Sequence, residues 1–354
     1  MRLDRHMITV TLSGLLLGFF GVMLSVWGNP ENSGICVSCF IENSAGALGL
    51  HNNPRLQYLR PELIGFVLGA FASALFRREF RSRGGSAPLL RFASGFFLIV
   101  GCAVFIGCPI KLFLRFTAGD LTSLAGVAGL VAGVGCGLKG LSKGVELGRL
   151  SPAAAPRGSG LLAPAAFLMF LLFIFISPSF LVASEKGSSA QHAPLLISLS
   201  AGLALGFAAQ GSRFCITGSI RDILLMGRRA PLLWGGIAFL VTALLVNLST
   251  GRFKPGFAGQ PGSHQEYIWS FLGMGLVGWL SVLIGGCPFR QLVKSGEGDS
   301  DAALAVAGMF LGGAVVQGWD IAATSAGVPL GGKIAVISGF LLVLGGSILL
   351  RERE

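Results

Sequence analysis

The chain has 354 residues, of which 53% are apolar and 12% are charged, and its mean hydropathy is +0.74. Soluble domains are roughly a quarter charged, so this composition excludes a soluble globular enzyme, a disordered protein and a collagen-like repeat. It is typical of a polytopic helical membrane protein, because about 20 apolar residues make one span. The net charge of +11 fits lysine and arginine in cytoplasmic loops, and we expect no nucleic-acid binding.

Ten apolar segments are predicted to cross the membrane as helices. The first covers 8–28 and is longer than the apolar core of a signal peptide. No small-residue cleavage site follows it, so we expect it to be retained. The other nine predicted spans are, in chain order, 62–76, 89–107, 121–138, 161–183, 194–210, 231–250, 268–285, 301–318 and 333–350.

The loop charges predict the orientation of these spans. Basic residues follow the second, fourth and sixth spans and the last one, whereas the loop 184–193 holds only Glu185 and Lys186. By the positive-inside rule both termini are cytoplasmic, and only the mildly basic loop 286–300 gives a weak signal. The basic residues used here are Arg77, Arg78, Arg81, Arg83, Lys139, Lys143, Arg149, Arg157, Arg213, Arg221, Arg228, Arg229, Arg351 and Arg353.

A short motif occurs twice. The sequence GCPIK at 107–111 reappears as GCPFR at 286–290, an offset of 179 positions. The same offset joins Asp120 to Asp299, and each of these ends a Gly-Asp pair twelve residues after the motif cysteine. One such match is expected by chance, but the series predicts an internal duplication.

Cysteines upstream of the motif extend the duplication. Cys39 lies 69 residues before Cys108, and Cys215 lies 72 residues before Cys287. One extra span separates the two copies, so they insert in opposite senses, as in transporters whose substrate site lies where inverted repeats meet. The alternative is a scaffold that does not transport. The predicted divisions are a first repeat at 1–160, a connecting span and loop at 161–193, a second repeat at 194–330 and a C-terminal span at 331–354.

The Gly-Cys-Pro sequence favours a broken membrane segment. Glycine permits a sharp backbone turn, and proline opens a new helix because its missing N–H costs nothing there. Cys108 and Cys287 are therefore expected near the N-caps of short re-entrant half-helices, where the helix dipole attracts an anion. Lys111 and Arg290 add positive charge one turn further on. A soft sulfur ligand at such a place suits a small anion containing sulfur or selenium.

The remaining cysteines have several interpretations. Cys36 and Cys39 are a redox pair, half of a metal site, or part of the path wall, and no second CxxC or His pair supports zinc. We favour Cys39 as path-lining, because we match only Cys39 to a cysteine of the second repeat, Cys215. Cys102 and Cys136 lie within spans and are predicted to be packing residues.

Five charged residues lie in or beside apolar segments. Asp120 and Asp299 either carry a proton or cap the next span, and we favour caps. Glu42, Arg221 and Asp222 follow Cys39 and Cys215 closely, and act as gates or as local ion pairs. We predict no metal site, because the four histidines are scattered and make no ligand cluster. We predict no cofactor and no ATP-driven transport, since the nearly phosphate-binding loop at 327–333 is followed by Ile instead of Ser or Thr.

At these motifs the chain resembles the YeeE/YedE family of sulfur-transport membrane proteins, and most closely its YedE-like branch associated with selenium metabolism. The likeness covers nearly the whole chain. The stretches that carry it are CVSCF at 36–40, AGALGLH at 45–51, GGSAP at 84–88, RFCITG at 213–218, IRD at 220–222, GGCPFRQL at 285–292 and GEGDSDA at 296–302.

The resemblance implies a bacterial or archaeal inner-membrane importer. In the thiosulfate-transporting relatives, short helices dip into an hourglass-shaped protein, and cysteines at the constriction pass the anion along. The positions that match these cysteines are Cys39, Cys108, Cys215 and Cys287, whereas the extra Cys36 departs from the thiosulfate pattern. The family often accompanies a small soluble sulfur-carrier protein, which implies a cytoplasmic partner.

We therefore expect a transporter, not an enzyme, that imports a small selenium or sulfur species of the selenite, selenide or thiosulfate class. Lys111, Arg290 and Arg221 are expected to attract the anion or gate its path. The alternative is a membrane thiol enzyme in which Cys36 and Cys39 do redox chemistry. A third possibility is a relay subunit that depends on a soluble carrier protein.

Overall fold

The computed structural model describes residues 5–85, 87–145 and 158–349. In these ranges the chain forms fourteen α-helices, two short 3₁₀ turns and no strand, so the predicted all-α class is confirmed. In chain order the α-helices are α1 Arg5–Val26, α2 Val37–Ala47, α3 Pro61–Phe76, α4 Pro88–Phe105, α5 Pro109–Thr117, α6 Ser123–Leu141, α7 Leu162–Ile176, α8 Leu195–Ser212, α9 Ile216–Met226, α10 Pro231–Ser249, α11 Tyr267–Ile284, α12 Pro288–Gly296, α13 Ser300–Gly318 and α14 Leu330–Leu349.

Each predicted span coincides with one long helix. Eight helical segments of the described chain are long and apolar enough to cross a membrane, and Pro61–Phe76 and Leu330–Gly346 are shorter apolar helices. The polytopic membrane class is therefore confirmed. The four helices left over, α2, α5, α9 and α12, are only 9 to 11 residues long, which is too short to cross about 30 Å of hydrocarbon.

One predicted span is too long. The segment 161–183 reads as a single apolar run, but its helix ends at Ile176. Ser177 has a left-handed backbone with φ of 46° and Pro178 follows it. A left-handed residue that is followed by a proline ends the helix, because neither residue continues the α conformation.

The helix order repeats along the chain. Helices α1–α6 follow one order of lengths, which is long, short, long, long, short, long. Helices α8–α13 follow the same order, while α7 lies between the two sets and α14 comes after them. In three pairs, α2 with α9, α4 with α11 and α5 with α12, both ends are 179 positions apart. The offset found in the motif therefore also relates the helix bounds, whereas the division of the chain at 160, 193 and 330 stays a prediction.

The long helices pack in pairs, and each pair joins one helix of α1–α6 with one helix of α8–α13. The pairs are α1 with α10, α3 with α8, α4 with α13 and α6 with α11. Gly14 lies against Gly235, and Gly18 against Phe239, so α1 and α10 run parallel. In the second half, α8 corresponds to α1 and α10 corresponds to α3. Therefore α1 packs on the counterpart of α3, and α3 packs on the counterpart of α1. Two halves of opposite orientation produce this pattern.

Glycine explains how closely these helices approach. A Cβ added to Gly133 would collide with the carbonyl oxygen of Gly275, and one added to Gly95 would collide with that of Ala305. Small residues let helix backbones approach closely in a membrane, where packing and not hydrophobic burial drives association. The unusual number of glycines, 54 in the chain, therefore serves the helix interfaces.

The basic residues predicted to be cytoplasmic meet at one end of the bundle where the chain is described. Arg77 packs on Gly211, and Arg213 Nη2 lies 3.4 Å from Glu79 Oε2, so the C-terminal ends of α3 and α8 are neighbours. The cytoplasmic position of this end stays a prediction. The residues of this prediction that lie outside the described ranges are Arg149, Arg157, Arg351 and Arg353.

Candidate functional site

A cysteine is the N-cap of every short helix in the described chain. Cys36 caps α2, Cys108 caps α5, Cys215 caps α9 and Cys287 caps α12. The four residues are at most 4% exposed. In α5 and α12 the following proline starts the helix without wasting a backbone donor, as the sequence predicts.

The four N-termini converge on one region. Val37 N donates to Cys108 Sγ at 3.3 Å, which joins α2 to α5, and Cys215 Sγ lies 3.5 Å from Cys287 Sγ, which joins α9 to α12. Across the halves, α2 packs on α12 and α5 packs on α9. Each helix start carries about half a positive charge and unpaired N–H groups, so the region is suited to hold an anion.

The sequence-based matching of Cys39 with Cys215 is wrong. Cys36 is the N-cap that corresponds to Cys215, and Cys36 to Cys108 spans the same 72 positions as Cys215 to Cys287. Cys39 lies one turn inside α2, where the second half has Gly218. The spacing of 72 was the signal that would have identified Cys36.

Hydrogen bonds around the two N-caps support this alignment. Cys36 Sγ lies 3.4 Å from Ser38 Oγ, and Cys215 Sγ lies 3.4 Å from Thr217 Oγ1, two residues on in both cases. The halves differ in one respect, because Cys36 forms a disulfide with Cys39, with their Cα atoms 5.3 Å apart. We call these five residues, Cys36, Cys39, Cys108, Cys215 and Cys287, the cysteine layer.

A cavity of about 740 Å³ reaches the cysteine layer from one side, and we call it the outer cavity. Cys39, Glu42 and Lys111 lie in its wall, together with Arg60. Lys111 is 3% exposed, and within the described residues its ammonium forms no hydrogen bond and no ion pair. A buried cation without a partner is costly, which marks the cavity as a place for an anion.

A smaller cavity of about 160 Å³, the inner cavity, lies against the other half. Its wall holds Cys215, Arg221, Ser281 and Arg290. Both arginines have partners, because Arg290 Nη1 lies 2.9 Å from Glu297 Oε1 and Arg221 lies 2.7 Å from the adjacent aspartate. Ser281 Oγ is buried and finds no hydrogen-bond partner in the described structure. The inner cavity therefore offers a free hydroxyl beside paired cations.

The two cavities lie at opposite ends of the bundle. Arg91 Nη1 donates to the Ile284 carbonyl at 3.0 Å, and Gly101 packs on Gly273, so α4 and α11 run antiparallel. The outer cavity reaches the last turn of α4 and the inner cavity the last turn of α11. Cys108 and Cys287 are at most 1% exposed and line neither cavity. The cysteine layer thus separates two cavities that approach it from opposite ends.

The two predicted capping aspartates lie after the short helices. Asp299 is the N-cap of α13 and accepts from Ala302 N at 2.9 Å, while Lys294 Nζ lies 3.1 Å from its Oδ2. Asp120 is fully buried, and its Oδ2 accepts from Arg115 Nε at 2.7 Å. Asp120 is not an N-cap, because Thr122 is the N-cap of α6 and donates its N–H to Asp120 Oδ1, so the predicted capping role is wrong for Asp120. Neither carboxylate lines the outer or inner cavity. Their alternative role in proton coupling stays a prediction.

Cys102 and Cys136 have different surroundings. Cys102 is fully buried in α4, in the core, as a packing residue would be. Cys136 is exposed on α6, so its predicted packing role is wrong. Apolar sequence does not distinguish a lipid-facing position from a buried one, since both are apolar.

No group of three or more His, Cys, Asp or Glu side chains in the described residues is arranged to hold a metal ion. No curated protein matches the chain significantly. Residues 211–344 match a family model described as sulphur transport, which supports a sulfur transporter. The matched range includes α9, α12 and both of their N-cap cysteines. The chain is therefore similar, over this second half, to the sulphur-transport family.

Proposed function

We propose that this protein imports a small sulfur- or selenium-containing anion, of the thiosulfate, selenite or selenide class, across the inner membrane of a bacterium or archaeon. The observation that carries the proposal is the cysteine layer, in which four N-cap cysteines converge between two cavities at opposite ends of the bundle. The selenium branch of the resemblance and the cytoplasmic position of both termini are part of this proposal.

The path follows from the charges along it. Lys111 is buried, forms no ion pair within the described residues, and attracts the anion into the outer cavity. At the cysteine layer, thiol S–H groups and helix N-termini replace part of the hydration shell that the anion loses. Arg221 and Arg290 then meet the anion in the inner cavity. Their carboxylate partners weaken this second site, so the anion is released there.

Soft sulfur donors favour soft anions. A thiol is a weak hydrogen-bond donor and a polarisable neighbour, so it gains little over a hydroxyl for a hard oxyanion but suits a terminal sulfur or selenium atom. The buried Cys108 and Cys287 close the path in this conformation. Transport therefore requires the short helices to separate, and their length of 9 to 11 residues lets them move against the long helices.

The experiment is uptake into liposomes that contain only this protein, with labelled thiosulfate and labelled selenite offered separately. Saturable uptake of either label, above that of protein-free liposomes, supports the proposal and identifies the element. Unlabelled selenite added to labelled thiosulfate, and the reverse, measure the selectivity of the protein between the sulfur and the selenium anion. Absence of uptake for both labels would contradict a self-sufficient importer.

A second candidate function is a membrane thiol enzyme or a sulfur relay that works with a soluble carrier protein. The Cys36–Cys39 disulfide supports it, because Cys39 lies in the wall of the outer cavity. Mass spectrometry of the purified protein separates the candidates. The enzyme predicts a persulfide, a selenosulfide or this disulfide turning over with substrate, whereas the importer predicts no covalent change during uptake.

A further inference from the structure

Glu42 is an acid on a path that we propose for an anion. It lies in the second turn of α2, is 7% exposed and faces the outer cavity. Gln317 Nε2 of α13 donates to its Oε2 at 2.5 Å. Within the described residues Glu42 forms no ion pair. No cationic partner therefore explains why an acidic residue occupies this position.

The second half has the opposite charge at the corresponding position. At the offset of 179, Glu42 corresponds to Arg221, which faces the inner cavity. Lys111 corresponds in the same way to Arg290, so that position is a cation in both halves. The outer cavity thus combines an unpaired lysine with an unpaired carboxyl group, whereas the inner cavity has three arginines, Arg213, Arg221 and Arg290, that are all paired.

Other charged groups share the outer cavity and do not pair with Glu42. His51 packs against α2, with its Nε2 2.9 Å from the Glu42 carbonyl oxygen and its Nδ1 3.2 Å from Asn53 N. A carbonyl only accepts, so the neutral ring with its proton on Nε2 satisfies both contacts. The charged residues that face the same cavity are Glu31, Arg55, Arg60, Lys111 and Asp320, while Cys39 is held in the disulfide.

An ionised Glu42 would repel the anion that Lys111 attracts, since both side chains face one cavity. A proton on the carboxyl group removes this repulsion and leaves Lys111 unopposed. We propose that Glu42 binds a proton together with the anion, so that the outer cavity is a proton-linked anion site. This inference rests on the proposed function, and it makes Glu42 a positioning residue for charge and not a ligand of the anion.

The proton balance is simple. In the empty site the carboxylate is ionised and accepts a hydrogen bond from Gln317. On binding, one proton from the outer solution adds to the carboxylate, and the anion enters beside Lys111. Anion affinity is therefore linked to pH, and it weakens as pH rises through the titration of Glu42.

The test measures thiosulfate binding to the full chain in nanodiscs, because thiosulfate keeps its double negative charge over the range used. For the wild type we expect the dissociation constant to rise by up to about tenfold per pH unit as the pH rises through the titration of Glu42. For Glu42→Gln, which keeps an oxygen for Gln317, we expect tight binding that no longer changes with pH.

Two matched variants define the interpretation. Glu42→Asp keeps a carboxyl group and is expected to keep the pH dependence, which separates loss of the proton site from damage to α2. Glu185→Gln removes an exposed acid that does not line the outer cavity, and it is expected to behave as the wild type. The inference is overturned if anion binding by the wild type does not depend on pH. It is also overturned if the dissociation constant of Glu42→Gln changes with pH as steeply as that of the wild type, because the proton then binds to another group, such as Lys111. Because binding is measured without transport, pH-linked binding with no liposome uptake would refute the importer and leave the proton-linked site standing.

Discussion

Replacing Lys111 with glutamine should weaken anion uptake strongly while leaving the protein folded. The Lys111 side chain is 3% exposed in the outer cavity and has no ion-pair partner within the described residues. Its removal breaks no hydrogen bond there. It also relieves the cost of burying an unpaired charge, so we expect stability to be unchanged or slightly higher.

The size of the effect follows from Coulomb's law. Two unit charges about 5 Å apart, at an effective dielectric constant of about 20, interact by about 3 kcal/mol. Since 1.4 kcal/mol corresponds to a factor of ten, the loss of Lys111 should raise the KM for the anion about a hundredfold. Screening by water in a cavity of 740 Å³ reduces this figure, and full aqueous screening would leave a factor of only about four.

The assay is the initial rate of labelled thiosulfate uptake into liposomes over a range of concentrations, at a pH below the titration of Glu42, where we expect the Glu42 repulsion to be removed. Lys333→Gln is the matched control, because Lys333 lies outside the outer cavity and its Nζ pairs with Glu266 Oε2 at 2.8 Å. A KM that is the same in Lys111→Gln and Lys333→Gln would refute the electrostatic account of the outer cavity.

Three further changes have defined outcomes. Asp120→Asn leaves a buried arginine unpaired and should destabilise the protein by about 3–5 kcal/mol, seen as a lower melting temperature in detergent; an unchanged melting temperature contradicts the buried ion pair. Gly133→Ala should also lower it, because its Cβ would collide with the next helix, whereas Gly135→Ala, with open space around it, should not; equal effects contradict the packing. Cys39→Ala removes the Cys36–Cys39 disulfide, so uptake should become insensitive to the reductant dithiothreitol while the wild type stays sensitive to it; equal sensitivity contradicts a role for the disulfide.

The spans and two of the four short helices, α5 and α12, were predictable from local sequence. Runs of about 20 apolar residues identify spans directly, since lipid requires each segment to satisfy its own backbone. Gly-Cys-Pro identified α5 and α12, because glycine and proline constrain the backbone wherever they occur. Local signals failed at Ser177, where an apolar run continues beyond the helix that it predicts.

The site was only partly predictable. Lys111 and Arg290 follow from the motif, and the structure places one in each cavity. The interpretation of Cys36 was wrong, because at the fixed offset of 179 Cys215 corresponds to Cys36 and not to Cys39. Gln317, which holds the Glu42 carboxyl group, lies 275 positions away along the chain. No local pattern predicts such a contact, and only the packing of α2 on α13 brings the two side chains together.

The most direct test of the central claim is uptake by a variant of the cysteine layer. Cys287→Ala removes the thiol that lies 3.5 Å from Cys215 Sγ at the closed part of the path. Cys136→Ala removes a thiol that is exposed on α6 and lines neither cavity. We predict that Cys287→Ala lowers the uptake rate of labelled thiosulfate or selenite about tenfold or more, and that Cys136→Ala leaves it unchanged. Equal uptake by both variants would contradict passage of the anion through the cysteine layer.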